Sequence, residues 1–220
     1  SAGTGVCWLL ITDGRAHNPL ERTLASWGEN FDAEIRHTIV IDDSGSTRYN
    51  EWVDKNCGFA DEIIHHHERL GYTETMIDAW ERIFPACKYI FQLEDDFLLN
   101  RPLHLKDWVG VMENYPLVVQ IRAARQTWYA PEREAGGHLM MPGYTDEVYT
   151  GTTGAWPVLR NNKGFSGNPS LYRQSLTEIG WHPGPSSEAS MLPRVLAHNP
   201  NYYMLVWGKR TDEPLVHHFG

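Results

Sequence analysis

Within the first hundred residues, short apolar runs are each followed by a polar turn and then by a stretch with helical apolar spacing, and this alternation constrains the fold most. Val6-Cys7-Trp8-Leu9-Leu10-Ile11-Thr12 is strand-like, Asp13-Gly14-Arg15 is polar, and residues 19–27 are helix-like. Residues 35–41 are β-branched and apolar, Asp42-Asp43-Ser44-Gly45-Ser46 is a turn, and residues 49–56 can be helical. Residues 61–65 form a third short strand candidate. Residues 73–84 read as a helix with Met76, Ile77, Trp80, Ile83 and Phe84 on one side. The clearest strand, Tyr89-Ile90-Phe91-Gln92-Leu93, runs into Glu94-Asp95-Asp96 and then Phe97-Leu98-Leu99. A helix over 105–114 and a strand over 117–121 follow. Strands alternating with helices predict an α/β fold with a mostly parallel central sheet and helices on both faces. Ligands bind outside the carboxyl ends of such strands, where Asp13, Asp42, Asp43 and Glu94-Asp95-Asp96 are expected to gather.

The remaining sequence is less regular. Residues 125–162 are rich in Gly, Pro, Thr and aromatic residues and are read as long functional loops. Helical character is expected over 169–179 and 188–197, with a last strand over 202–207. The 220 residues, 41% of them hydrophobic, suit one domain over 1–220, and Ser1-Ala2-Gly3 is left outside the fold. Cys7, Cys57 and Cys87 are odd in number and widely spaced, which argues against a disulfide framework or a cysteine-ligated zinc and for a reducing, cytoplasmic setting. Cys7 and Cys87 are expected as small core residues. No run reaches the roughly 18 apolar residues of a membrane span, so no membrane partner is expected. The net charge of -9 opposes non-specific attraction to nucleic acid without excluding a nucleic-acid substrate.

Chemistry concentrates in a few constellations. Three adjacent carboxylates after a buried strand repel one another unless a cation or hydrogen-bond donors compensate them, so Glu94-Asp95-Asp96 is read as a site rather than a solvated turn. Hard oxygen ligands suit Mg²⁺ or Mn²⁺ held by one or two carboxylates and substrate phosphates. Gly164-Phe165-Ser166-Gly167-Asn168 is a Gly-bounded turn offering backbone N–H groups. His65-His66-His67 is expected to be a solvated strand end, because adjacent side chains on a strand face opposite sides. Trp128, Tyr129, Tyr144, Tyr149 and Trp156 are each taken as ordinary loop anchors before stacking platforms.

Phe91-Gln92-Leu93-Glu94-Asp95-Asp96-Phe97 resembles the D-x-D strand end of glycosyltransferases with the GT-A (Rossmann-like) fold, especially the inverting, metal-dependent family 2. Ile39-Val40-Ile41-Asp42-Asp43-Ser44-Gly45-Ser46 resembles that family's "VVDDGS" segment, and Leu70-Gly71-Tyr72 its "N-x-G" helix start. The resemblance covers about 6–100 well and 164–196 loosely. It implies a nucleotide-sugar-binding half over about 6–122 and an acceptor-side half with a C-terminal tail over about 123–220. Thr12, Asp13 and Arg15 would border the nucleotide, and Asp42 or Asp43 would contact base or ribose. Glu94, with Asp95, would touch ribose or sugar, and Asp96 would bind the metal. Glu94 departs from the usual first Asp. Ser187-Glu188 stands where the family places its catalytic acid, after Ile179-Gly180-Trp181, so Glu188 is the candidate general base; the alternative is an ordinary first-turn helix acid. His217 or His218 would complete the metal site, and Lys209-Arg210 would steady the diphosphate.

The resemblance implies sugar transfer from a nucleotide-diphosphate sugar, expected to be a UDP-sugar, to a hydroxyl acceptor. The acceptor stays open between a small molecule, a protein and a hydroxylated DNA base, the last as in virus-encoded DNA glycosyltransferases, which would place the protein in host cytoplasm. The competing readings are a nucleotidyltransferase, for which Thr12-Asp13-Gly14-Arg15 is too sparse a phosphate loop, and a non-catalytic sugar- or metal-binding module.

Overall fold

The computed structural model describes residues 5–28, 31–82 and 87–220. Ile83 and Phe84, expected on the inner face of a helix, and Ser1-Ala2-Gly3 lie outside these residues. β1 (Val6–Thr12) is buried at every position, flanked by parallel β2 (Ile35–Asp42) and β4 (Tyr89–Glu94), and β3 (Glu62–His65) pairs with β2. Burial on both faces explains why β1 is uniformly apolar rather than alternating. Val6, Trp8 and Leu10 pack one way, among Leu20 and Trp27 of α1 (Pro19–Trp27), Val53 of α2 (Thr47–Asn56), and Trp108 and Val111 of α4 (Leu105–Asn114). Cys7, Leu9 and Ile11 pack the other way, against Met76 and Trp80 of α3 (Tyr72–Glu81) and Met191 and Val195 of α6 (Ser187–His198). Each large apolar side chain so buried contributes roughly 1.5–3 kcal/mol, so the two helical layers anchor the strand ends that follow.

The sheet has nine strands in the order β3-β2-β1-β4-β9-β6-β10-β8-β7, where β6 is Val118–Arg122, β7 Thr145–Thr150, β8 Ala155–Asn161, β9 Ser170–Arg173 and β10 Tyr203–Trp207. All but β8 and β9 run in one sense. The helices on both faces and the mostly parallel sheet make this a GT-A, Rossmann-like α/β fold.

Three sequence expectations change. Residues 169–179 are helical only in their second half, as a 3₁₀ helix over Gln174–Ile179; before it β9 inserts antiparallel between β4 and β6. The stretch 125–162 is not only loop, since β7 and β8 form a hairpin closed by Gly151 N–H donating to Gly154 O at 2.8 Å. α5 (Ala130–Glu134) also lies there. Cys7 and Cys87 are paired as a disulfide with Cα atoms 5.6 Å apart, within the usual range, so the cysteine pattern no longer speaks for a reducing setting. Only Cys57 is a free, buried thiol among the described residues.

Two short strands outside the main sheet place the C-terminal segment. β5 (Phe97–Leu99) pairs antiparallel with β11 (Val216–His218), His218 opposite Phe97, and Phe219 N–H donates to Asp96 O at 3.0 Å.

Candidate active site

The register brings the acids together. Thr12 is the partner of Asp42 and Ile11 of Glu94, so the ends of β1, β2 and β4 open on one side. There Asp13, Arg15, Asp43, Arg69, Tyr72, Glu94 and Asp96 help to line a cavity of about 250 Å³. A larger cavity of about 810 Å³ lies toward the amino ends of β1 and β2, walled by Trp8, Phe31, Trp52 and Phe59, where no strand-end acid reaches.

Asp95 turns inward and is tied by three neighbours. Thr12 Oγ1 donates to Oδ2 at 2.7 Å, Asp13 N–H to the same oxygen at 3.1 Å, and Arg15 Nη2 to Oδ1 at 2.8 Å. Thr12 is therefore a buried strut, not a cavity wall. Arg15 Nη2 also donates to Asp96 Oδ2 at 2.8 Å, and Arg15 Nε to Asp13 Oδ1 at 3.0 Å, so one guanidinium compensates three carboxylates. His218 Nε2 stands 3.1 Å from Asp96 Oδ2. Burial opposes ionisation of Asp96, yet the hydrogen bonds to His218 and Arg15 outweigh it and hold its pKa below the usual carboxylate range. Glu94 has no such compensation: burial first, then Asp96 and Glu188, push its pKa well above the usual range.

His217 and His218 separate as neighbours on a strand must. His218 packs on Phe97 at 4.7 Å and Trp128 at 4.5 Å between ring centres, while His217 is exposed and reaches none of the acids. Gln126, which the sequence reading passed over, brackets His218: its Nε2 donates to His218 O at 2.6 Å and its Oε1 accepts from His218 N–H at 2.9 Å. The segment carrying Gln126 is fixed in turn by Glu132. That carboxylate pairs with both Nη atoms of Arg125 and accepts from Trp128 N–H at 2.7 Å. Burial opposes its charge, but Arg125 and the backbone donors bring its pKa down to about 2. A glutamate three residues after a turn, at the start of a short helix, is the signal that could have found it.

Glu188 stands in the first turn of α6. Gly167 N–H donates to Glu188 Oε1 at 2.8 Å. A Cβ at position 167 would lie 2.7 Å from Tyr72 OH, 3.0 Å from Glu94 Oε2 and 3.1 Å from Glu188 Oε2, so glycine lets three polar groups converge there. Tyr72 OH is buried and without a hydrogen-bond partner.

Asp42 and Asp43 are both buried, and only Asp43 lines the cavity. Their partners correct the reading of His65-His66-His67 as solvated. His65 lies 2.8 Å from both Asp42 Oδ2 and Asp54 Oδ1, and His66 lies 2.8 Å from Asp43 Oδ1 and 2.9 Å from Asp78 Oδ2. His67 alone is exposed. Lys209-Arg210 is also displaced from its expected role: Arg210 pairs with Asp146 at 3.0 Å and holds Leu139 O and Tyr144 O. The cations at the cavity are Arg15 and Arg69 instead. Of the five aromatic residues, Trp128 flanks the site through His218, Tyr144 meets Arg122, Tyr149 is core, Trp156 packs on Trp207 and Tyr129 is exposed.

Among the described residues, no group of three or more His, Cys, Asp or Glu side chains is arranged to hold a metal by itself, and no helix is long and apolar enough to cross a membrane.

No family model matches the chain, and no curated protein matches it. Among solved structures it is similar to TarS of S. aureus, a GT-A-type glycosyltransferase, with a TM-score of 0.62 at 12% identity. The match covers 99% of this chain and 37% of that one, and at this identity it shows the fold.

Proposed function

We propose that the chain is a metal-dependent glycosyltransferase that moves a sugar from a nucleoside-diphosphate sugar, a UDP-sugar, to a hydroxyl acceptor with inversion. One observation carries the reading: Asp96, with His218 Nε2 at 3.1 Å, lines the strand-end cavity together with Glu94, and Gly167 gives Glu94 and Glu188 room to converge beside it. Asp96 Oδ2 and His218 Nε2 fit Mn²⁺ or Mg²⁺ as two ligands whose remaining positions diphosphate oxygens and water would fill. That ion, when bound, supplies charge neutralisation for the departing diphosphate.

The chain's own groups do the rest. Arg15 and Arg69 face the phosphates as donors, and Asp43 receives base or ribose. Glu94 and Tyr72 meet the sugar. Glu188 Oε1 is occupied by Gly167 N–H, which leaves Oε2 to take the acceptor's proton as its oxygen bonds the anomeric carbon and the bond to the diphosphate breaks. The test is a hydrolysis screen of nucleotide sugars with Mn²⁺. Release of nucleoside diphosphate from one donor, stopped by a chelator, is expected. Failure to bind or cleave any nucleotide sugar would overturn the reading, and release of pyrophosphate from a nucleoside triphosphate would replace it with nucleotidyl transfer.

A further inference from the structure

Two histidines after β3 are each held between two carboxylates from different elements. His65 joins Asp42 at the end of β2 to Asp54 on α2, and His66 joins Asp43 to Asp78 on α3. A carboxylate accepts hydrogen bonds and donates none, so both imidazole nitrogens must carry a proton for both contacts to form. A neutral ring has one N–H and satisfies one carboxylate, leaving the other facing a lone pair. His66 matters more to the cavity, because Asp43 lines it and Asp42 does not. Asp43 Oδ1 also accepts from Leu70 N–H at 2.8 Å and Oδ2 from Gly71 N–H at 2.9 Å. His66 and these two amides thus lock the acid to the turn that starts α3. Gly71, at φ +87°, adopts the left-handed backbone this turn requires.

We infer that His66 is a positioning residue for the donor: as an imidazolium between Asp43 and Asp78 it fixes the Asp43 carboxylate and the 67–71 turn for the nucleotide, and donor affinity falls when the ring loses its proton. The inference rests on the proposed nucleotide-sugar function. Burial lowers the affinity of His66 for its proton, but the hydrogen bonds to Asp78 and Asp43 outweigh it and the net direction is upward. Besides these two acids, the recess around the ring holds Glu68, Glu74 and Glu81, the cation Arg82, which pairs with Asp78 at 3.0 Å, and His65 and His67. Of the side-chain types in this recess, imidazole is the one whose ordinary pKa lies nearest the range from pH 6 to 9.

The experiment is calorimetric binding of UDP, with the other three nucleoside diphosphates in parallel, to the full chain with Mn²⁺ at pH 6 to 9. Wild-type affinity is expected to fall as pH rises. His66→Ala should weaken binding about tenfold at pH 6, the effect of one charge-assisted hydrogen bond, and flatten the pH profile. Asn places an amide N–H near the position of Nδ1 and Gln near Nε2. His66→Asn should therefore restore the Asp43 bond and most of the affinity without pH dependence, while His66→Gln should not. In the hydrolysis assay KM should carry the change and kcat should stay nearly constant. Unchanged affinity in His66→Ala, or a wild-type pH profile in His66→Asn, would overturn the inference while leaving the glycosyltransferase reading standing. Absence of binding by wild type to all four diphosphates would overturn both.

Discussion

Two aspartate pairs flank β1, Asp42-Asp43 at the end of β2 and Asp95-Asp96 after β4; Asp42 is turned away from the cavity, whereas Asp43, Asp95 and Asp96 line it. They differ in what holds the second acid. Asp43 accepts two backbone N–H groups and a clamped imidazole, none of which can leave without moving the 67–71 turn. Asp96 is held on its carboxylate by the ends of two side chains, Arg15 Nη2 and His218 Nε2, both on Oδ2. A guanidinium on a side chain that is still partly exposed can swing aside, and an imidazole can share a cation with the acid it faces. Under the proposed function, Asp43 and Asp96 therefore take opposite parts, a fixed acceptor and an exchangeable ligand, and the kind of donor around each decides which.

If both pairs serve the donor, neither is the base, and the largest effect of a single substitution on turnover falls at Glu188. Glu188→Gln keeps the Gly167 contact but cannot take a proton. Transfer should drop by about 10²–10⁴-fold with UDP affinity nearly constant. A large loss of UDP binding would place Glu188 with the donor acids, and near-normal transfer would return it to an ordinary first-turn acid.

Exchanging the charge in each pair comes next. Asp96→Asn should reduce Mn²⁺-dependent UDP affinity by about 100-fold, since an amide is a poor substitute for an anionic ligand, while the melting temperature moves little. Asp42→Asn should do the reverse. Asp42 is fully buried and bonded to His65 and Ser44 N–H, and breaking a buried charge pair costs about 3 kcal/mol. At 2–4 °C per kcal/mol for a chain of this size, that is roughly 10 °C in Tm. Equal melting losses in the two variants would erase the distinction between scaffold and ligand.

A smaller effect separates the two C-terminal histidines. His218→Ala should weaken Mn²⁺ binding about tenfold and His217→Ala should leave it unchanged, because one ring reaches Asp96 and the other faces solvent. Equal titrations for both would detach the tail from the metal.

How far this was legible follows from what each element must satisfy. The strands around β1 are buried on both faces, so they appear as apolar runs that stop at a polar residue, and the acids stand at those stops. β9 carries no such mark. Ser170-Leu171-Tyr172-Arg173 is too short to alternate, its Ser170 is bonded by Gln120 Nε2 at 3.1 Å, and the helix-like residues after it form a 3₁₀ turn. The β7–β8 hairpin could have been read from the β-branched and aromatic residues of 145–150 before Gly151-Thr152-Thr153-Gly154. The site divided in the same way. Strand-end acids were visible, whereas Arg69, Gln126 and the two clamping histidines act through partners 11 to 92 positions away, and the buried, unpaired Tyr72 OH carries no local mark.

The smallest expected effect is also the one that sets the two pairs against each other by sign. His65 and His66 have raised pKa values in the fold: burial works against the charge, and Asp54, Asp42, Asp78 and Asp43 outweigh it. Their contribution is complete below the unfolded value near 6.5 and is lost as pH climbs through the raised folded values. Asp96 runs the other way, its lowered pKa giving stability that is present above the ordinary carboxylate value and lost in acid. His138 adds to the acid side: burial, then Arg122 and Arg125, lower it to about 4, so it stays neutral in the fold while the unfolded chain takes up a proton below about 6.5. Cys57, pushed up to about 11 by burial and by Asp42, costs stability above about pH 8, where the unfolded thiol begins to ionise and the folded one does not. Buried Glu94, with its raised pKa, adds to the loss as pH rises, so stability should fall in acid and again on the alkaline side, by only a few degrees in Tm up to pH 8. In melting scans from pH 5 to 8, His65→Asn combined with His66→Asn should reduce the alkaline slope, and Asp96→Asn should leave most of it. A slope undiminished by the double substitution, or lost in Asp96→Asn, would mean the alkaline sensitivity does not arise at the β2 pair.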